Sequence, residues 1–91
     1  MKSHWTEEQR RKAKPRLIRA CRLAQATPDI EEFWLLAGVI AGGIQHFGPL
    51  MELTSERILY WSRHANEDEA RREVTEAFPS IITWLEGKTD D

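Results

Sequence analysis

Residues 29–44 read DIEEFWLLAGVIAGGI, and this stretch decides the fold. Its apolar residues recur at steps of three and four, which is the period of one face of an α-helix. Leu35, Leu36 and Val39 extend the apolar surface most of the way round, so we predict the central and most buried helix of the protein here. The main apolar face consists of Ile30, Phe33, Trp34, Ala37, Ile40, Ala41 and Ile44.

Start and stop signals flank this central helix. Thr27 can cap its N-terminus, and Pro28 suits the first helical position. At the other end, Gly42 and Gly43 weaken the helix. Because Gly38 and Gly42 are four residues apart on one face, we interpret them as the place where a neighbouring helix approaches closely. A flexible joint at Gly42 and Gly43 is the alternative.

A first helix precedes the central one. Thr6 and Gln9 have the spacing of a capping box, so a helix is predicted from about residue 7 to residue 25. Pro15 predicts either a kink in this helix or a fresh start. The apolar positions that share its buried face are Ala13, Leu17, Ala20, Cys21 and Ala24.

Three further helices are predicted downstream, and no stretch shows the two-residue alternation of a half-buried strand. They are a third helix over 55–65 capped by Thr54 or Ser55, a fourth from Asn66 to Phe78, and a short fifth from Pro79 to Leu85. The third helix should direct Ile58, Leu59 and Trp61 to the core, with Tyr60 a further candidate.

The fold class is therefore all-α, a compact bundle of four to five helices that forms one domain over residues 1–91. Residues 1–5 and 88–91 should fray. The predicted core comprises Leu17, Cys21, Phe33, Trp34, Ala37, Ile40, Ile58, Trp61, Val74, Phe78 and Trp84.

The charges are distributed unevenly along a chain whose net charge is −2. Residues 1–22 carry eight basic and two acidic side chains, a net +6, whereas residues 23–91 carry five basic and thirteen acidic ones, a net −8. The basic run is the candidate partner- or nucleic-acid-binding site. Its members are Arg10, Arg11, Lys12, Lys14, Arg16, Arg19 and Arg22.

Three interpretations of the basic run stay open. It can be a solvated helix that neutralises the acidic remainder of the domain, a contact for nucleic-acid phosphates, or a docking surface for an acidic protein. Only Trp5 lies near it among the aromatic residues, which gives little support to base stacking. Since the acidic remainder would repel a polyanion, we expect a protein partner first and nucleic acid second. A homodimer is a further option.

Enzymatic chemistry has little support in the sequence. Cys21 falls on an apolar stripe, where thiols are usually inert, and the histidines His4, His46 and His64 show no metal-binding spacing. Acidic pairs such as Glu73 and Glu76 fit ion pairing on a solvated helix. We therefore expect no catalytic residues, no metal and no cofactor.

Cellular location is predicted from cysteine usage and hydropathy. A single cysteine cannot form an internal disulfide, which favours an intracellular, cytoplasmic protein. The longest apolar run, residues 33–41, is too short to span a bilayer, so no membrane partner is expected.

Four short segments resemble the small helical segments found in primase–helicase proteins of phages and mobile elements. These segments are Ala41 to Ile44, Leu53 to Leu59, Glu69 to Val74 and Trp84 to Gly87, within residues ~20–87. The resemblance implies a helical accessory domain of a replication system. It implies no enzymatic role, because the sequence has no catalytic primase or ATPase part.

In size and charge the chain also resembles the small inhibitors that phages make against host defence, such as anti-CRISPR proteins. This class implies a non-enzymatic binding protein that inhibits or regulates a host complex through protein–protein contact. The alternative is a nucleic-acid-binding accessory domain that uses the basic N-terminal helix. An enzyme based on Cys21 or a histidine is the third class.

Overall fold

Four α-helices make up most of residues 5–87, the part of the chain that the computed structural model describes. They are α1 Glu7–Ala26, α2 Ile30–Ile44, α3 Pro49–Ser62 and α4 Glu67–Leu85, with a short 3₁₀ helix, Gln45–Phe47, between α2 and α3. None of the described residues forms a strand. The predicted all-α bundle is confirmed, with four α-helices.

The first helix begins as the capping box predicts. The backbone N–H of Gln9 donates to Thr6 Oγ1 at 3.1 Å, and the Thr6 N–H donates to Gln9 Oε1 at 2.8 Å. Two otherwise unpaired N–H groups are thereby satisfied. Pro15 lies within one continuous helix and does not start a new one.

The N-cap of α2 is Asp29, so the prediction of Thr27 as the cap is wrong. The Asp29 carboxylate accepts from the N–H groups of Glu31 at 2.9 Å and Glu32 at 3.4 Å. Thr27 still belongs to the end of α1, because its own N–H donates to the Leu23 carbonyl. Its buried hydroxyl accepts from the Asp29 N–H and donates to the Glu32 carboxylate, which fixes the connection between the helices.

The close approach between α1 and α2 occurs at Gly43, which corrects the prediction for Gly38 and Gly42. A Cβ placed on Gly43 would lie 2.6 Å from Leu17 Cδ2. Nothing lies within 4 Å of a Cβ placed on Gly38 or Gly42. All three glycines lie inside a helix that continues to Ile44, so Gly42 and Gly43 form no joint.

The third helix begins at Pro49, earlier than the predicted residue 55. Gly48 has φ +116°, a backbone conformation that favours glycine, and Pro49 takes the first helical position. Ser55 therefore lies mid-helix and caps nothing. Its buried hydroxyl donates at 2.7 Å to the carbonyl oxygen of Ala41 on α2.

The last two predicted helices are one helix, α4. Asn66 caps it as predicted by accepting from the Glu69 N–H at 3.0 Å. Pro79 lies inside the helix and does not end it. Phe78 and Ile81 on either side are fully buried, and we attribute the continuity to their packing.

Arg71 of α4 holds the turn between the first two helices. Its guanidinium donates a hydrogen bond to the Thr27 carbonyl oxygen and lies over the Phe33 ring, 4.9 Å from the ring centroid. The contact is a cation–π interaction combined with a hydrogen bond, and it joins α4 to the α1–α2 connection.

The core confirms most of the predicted members and corrects the tryptophans. Trp34, Trp61 and Trp84 are only partly buried and pack against the edge of the core. Those confirmed as buried are Leu17, Cys21, Phe33, Ala37, Ile40, Ile58, Val74 and Phe78.

Part of the apolar surface that led us to predict α2 as the most buried helix is exposed to solvent. Leu35 is 73% exposed and Val39 61% exposed. The helix packs against α1 on one flank and α3 on the other, and no element within residues 5–87 covers these two side chains on its outer side. Leu59 and Tyr60 of α3, expected in the core, are also exposed.

The predicted fraying concerns residues that mostly lie outside the described part of the chain, namely 1–4 and 88–91. Trp5 is described, and its ring stacks on His46 with centroids 4.1 Å apart. Among the described helices, none combines the length and the apolarity that a membrane span requires.

Candidate functional site

The seven basic residues predicted as the binding site divide into three groups along α1. The first group, Arg10, Arg11 and Lys14, lines a cleft beside the 3₁₀ helix. The second group consists of Lys12, Arg16 and Arg19, which are exposed on the outer side of the helix. The last, Arg22, reaches the end of α4. The structure therefore does not gather the predicted residues into one surface.

The cleft has a volume of about 640 Å³ and mixed charge. Arg10 Nη1 donates to the Trp5 carbonyl oxygen at 2.9 Å, which ties the start of the chain to this side of α1. The carboxylates of Glu7 and Glu52 also line the cleft, opposite in sign to the three basic side chains. A polyanion would meet these acidic groups together with the basic ones.

Ion pairs within the chain engage part of the basic run. Glu8 pairs with Arg11 and also with Lys12, whose Nζ lies 3.7 Å from Glu8 Oε2. Arg22 Nη2 lies 3.3 Å from Glu86 Oε2. The Arg22–Glu86 contact reaches the acidic remainder of the domain, whereas the two Glu8 pairs lie within the basic segment itself.

Arg16 and Arg19 differ from the other exposed members of the basic run, which are paired with Glu8 or Glu86. Both are exposed, and within residues 5–87 neither side chain forms a hydrogen bond or an ion pair. They are the exposed members of the predicted site whose charge stays available to a partner.

A second surface, which we call the α3 surface, consists of the exposed side chains Leu50, Leu53 and Tyr60, and Leu59 is exposed on another side of the same helix. Leu53 is 64% exposed and Tyr60 59% exposed. Seven residues, close to two helical turns, separate these two, so they lie on one line along the outside of α3. The α3 surface is the largest group of exposed apolar side chains on a single described helix.

A groove of about 670 Å³ runs beside the α3 surface, between α3 and α4. Leu50, Met51 and Ala77 contribute its apolar lining. Arg57 and Glu73 cross it as an ion pair, with Arg57 Nη2 3.3 Å from Glu73 Oε1. The groove thus combines an apolar lining with a charged contact at its edge.

Aromatic rings hold Tyr60 in place at the end of α3. Its ring meets Trp61 edge-on at a centroid distance of 5.1 Å and lies 6.0 Å from His64. Trp61 and His64 are themselves 4.7 Å apart. An exposed tyrosine supported in this way loses little conformational freedom when a partner covers it.

Sequence reasoning named Tyr60 as a candidate for the core, which the structure corrects, and did not single out Leu50 and Leu53. Both were assigned to the connection before a helix expected to begin at residue 55. The dipeptide Gly48-Pro49 is the signal that could have found them, because proline is favoured at the first position of a helix.

Nucleophilic chemistry at Cys21 is opposed by its surroundings. The thiol is fully buried, and burial raises the pKa of Cys21 from 9.0 to about 12, with the Arg22 guanidinium opposing the shift only in part. A thiol in this state holds its proton and cannot be reached by a substrate. His4 lies outside the described residues, and no group of three potential ligands among residues 5–87 could hold a metal ion.

Comparison with known proteins gives no relative for this chain: no family model, no curated protein and no solved structure matches it significantly.

Proposed function

We propose that this chain is a non-enzymatic helical domain that binds a protein partner in the cytoplasm through the α3 surface. The observation that carries the proposal is the exposure of Leu50, Leu53 and Tyr60 on one 14-residue helix. Large apolar side chains grouped on one surface are typical of interaction sites.

Tyr60 and Leu53 are the proposed anchors. Tyrosine is over-represented among the residues that dominate binding energy, because it combines a large apolar ring with a hydroxyl that can form a hydrogen bond. Leu53 lies two turns away on the same line, so a partner that covers both contacts about 10 Å of the helix. The neighbouring groove offers an apolar surface that the same partner can fill.

The form of activity that we propose is inhibition or regulation of a host complex, as in the phage inhibitors that the chain resembles in size and charge. An inhibitor that acts by covering a surface of its target needs a stable scaffold and an exposed contact patch but no catalytic group. The packing of α3 against both α2 and α4 supports this form of action.

The test is affinity capture from extracts of cells that naturally encode the protein, using the tagged full-length chain and two variants. Leu53→Asp combined with Tyr60→Ala changes the α3 surface, whereas Val39→Asp changes an equally exposed apolar residue on α2. We expect one specific protein to be retained by the wild type and by Val39→Asp and to be lost with the double variant. Equal retention by all three, with circular dichroism unchanged, would exclude the α3 surface.

Nucleic-acid binding is the second candidate, and the exposed, unpaired Arg16 and Arg19 favour it. Affinity for mixed-sequence DNA or RNA should then fall steeply as salt rises, with a log–log slope of about −0.9 per duplex phosphate contact or about −0.7 on a single strand. Charge reversal at Arg11, Arg16 and Arg19 should flatten this slope. Tight, salt-sensitive binding with no protein captured would favour this candidate over the first.

A further inference from the structure

The outer side of the α1–α2 pair carries an apolar patch on helices other than α3. Leu23 of α1 is half exposed, and Leu35 and Val39 of α2 are mostly exposed. These three side chains, which we call the outer patch, lie on the side of the two helices that faces away from the core.

The relative positions along the helices follow from one contact. Gly43 lies directly against Leu17, and the two helices run antiparallel because only three residues connect them. Each step forward along α1 therefore corresponds to a step back along α2. Leu23, six residues after Leu17, is level with residue 37 of α2, between Leu35 and Val39.

Charges of opposite sign lie at the two ends of the outer patch. By the same correspondence, Arg16 and Arg19 are level with residues 44 and 41 of α2, so they form a basic end. Glu31 and Glu32, both exposed, form an acidic end at the start of α2. At about 1.5 Å per residue, each end lies about 8 Å from the centre of the patch, which is level with residue 37.

We infer that the outer patch is the interface of a homodimer. In a two-fold dimer the same surface of both copies must be complementary to itself. A two-fold axis that lies in the interface, passes through the centre of the patch and runs perpendicular to the line joining its two charged ends brings the apolar side chains of the two copies together. It also places the basic end of each copy on the acidic end of the other, because the two ends are equally distant from the centre.

The exposed glycines of α2 suit such a contact. The space next to Gly38 and Gly42 is open, since nothing of the same chain lies within 4 Å of a Cβ placed there. A helix backbone of the second copy can approach more closely at these positions than at any larger residue. A partner of uniform charge, such as nucleic acid, would match one end of the patch and be repelled by the other.

The first test is sedimentation velocity of the full chain over a range of concentrations. We expect a monomer–dimer equilibrium for the wild type and for Leu53→Glu, which alters the α3 surface. Val39→Glu should remain monomeric at every concentration, with unchanged circular dichroism. A monomeric wild type at the highest concentration, or equal effects of the two substitutions, would overturn the inference.

The second test exchanges charges across the interface. In the proposed dimer, Arg16→Glu brings the new carboxylate next to Glu31 of the second copy. Glu31→Arg brings the new guanidinium next to Arg16 of the second copy. Because the dimer is symmetric, each substitution creates two repulsive contacts. Each single variant should therefore dissociate about tenfold more readily than the wild type. An equimolar mixture of the two should form a heterodimer, because both of its charge contacts are again of opposite sign. A mixture that associates no better than either variant alone would contradict the interface.

Homodimerisation through the outer patch and protein binding through the α3 surface can each be refuted without refuting the other. Loss of dimers in Val39→Glu is independent of any captured protein, and loss of capture on changing Leu53 is independent of the dimer.

Discussion

The hydroxyl of Ser55 donates a 2.7 Å hydrogen bond to the carbonyl oxygen of Ala41, which joins α3 to the last turn of α2. Carbonyl groups in the last turn of a helix lack intrahelical partners and need another donor when they are buried. Ser55 supplies that donor from the middle of its own helix, and its side chain is almost wholly inaccessible to solvent.

Ser55→Ala should lower the free energy of unfolding by about 1–3 kcal/mol, because a buried acceptor loses its partner. The matched control is Ser62→Ala on the same helix, where the exposed hydroxyl donates to the Leu59 carbonyl oxygen. That change should stay within about 0.5 kcal/mol. Urea unfolding followed by circular dichroism measures both, and equal values would show that the Ala41 contact contributes nothing.

Two adjacent glycines should respond in opposite directions to alanine. Gly43→Ala places a methyl group against the buried Leu17 side chain, which must shift within the packed core to make room, so it should destabilise the protein by about 1–3 kcal/mol. Gly42→Ala adds the same methyl group to open space and should stabilise the helix by about 0.5–1 kcal/mol. Thermal unfolding of both variants at low protein concentration measures the contrast. A stabilising Gly43→Ala would mean that α1 and α2 are not in contact there.

Pro79→Ala should stabilise α4, since it restores a backbone N–H within a continuous helix and removes the proline ring from it. The expected gain is about 1–3 kcal/mol. Ser80→Ala, at the neighbouring exposed position, is the control and should change stability by about 0.5 kcal/mol or less. Destabilisation by Pro79→Ala would show that the packing of α4 depends on a bend at the proline.

The pH dependence of stability should carry a contribution from Cys21. Its pKa is raised to about 12 in the folded protein, so above pH 9 the unfolded chain loses a proton that the folded chain keeps. The free energy of unfolding should therefore fall with rising pH between about 9 and 12, by up to about 1.4 kcal/mol per pH unit. Below pH 9 this contribution is fully present.

Cys21→Ala isolates this contribution, because tyrosine and lysine titrate in the same range in both proteins. Under reducing conditions, the slope of unfolding free energy against pH should be shallower for the variant. Identical slopes would show that the thiol ionises equally well in the folded protein.

Local signals in the sequence were sufficient to predict how several helices begin. Thr6 with Gln9, and Asn66 with Glu69, involve only neighbours along the chain, so their spacing alone fixes the hydrogen bonds. The beginning of α3 was predicted wrongly, because Ser55 is a good capping residue and was preferred to Gly48-Pro49, where the helix begins.

Exposure was harder to predict than periodicity. The apolar pattern of α2 correctly predicted Phe33 and Ile40 as core residues. The same pattern did not distinguish them from Leu35 and Val39, which are exposed. Which side of an all-apolar helix is covered depends on how many other helices pack against it, and that number is a tertiary property.

The pairing of charges in the candidate site likewise depends on tertiary contacts that the sequence alone does not show. Composition identified the basic run, and the pairing of Arg11 with Glu8 could be expected from their three-residue spacing. The pairing of Arg22 with Glu86, 64 residues away, could not. Only the folded arrangement shows which arginines keep an uncompensated charge.

The position of Arg71 has a consequence for the order in which the chain folds. The α1–α2 hairpin needs only contacts between residues near in sequence and can form early. The Thr27 carbonyl oxygen and the Phe33 ring, however, receive their cation from a residue 44 positions beyond Thr27. The hairpin turn is thus completed only once α4 has docked. During folding, the amides of this turn should therefore become protected from hydrogen exchange only when α4 docks, although the turn itself lies in the first third of the chain.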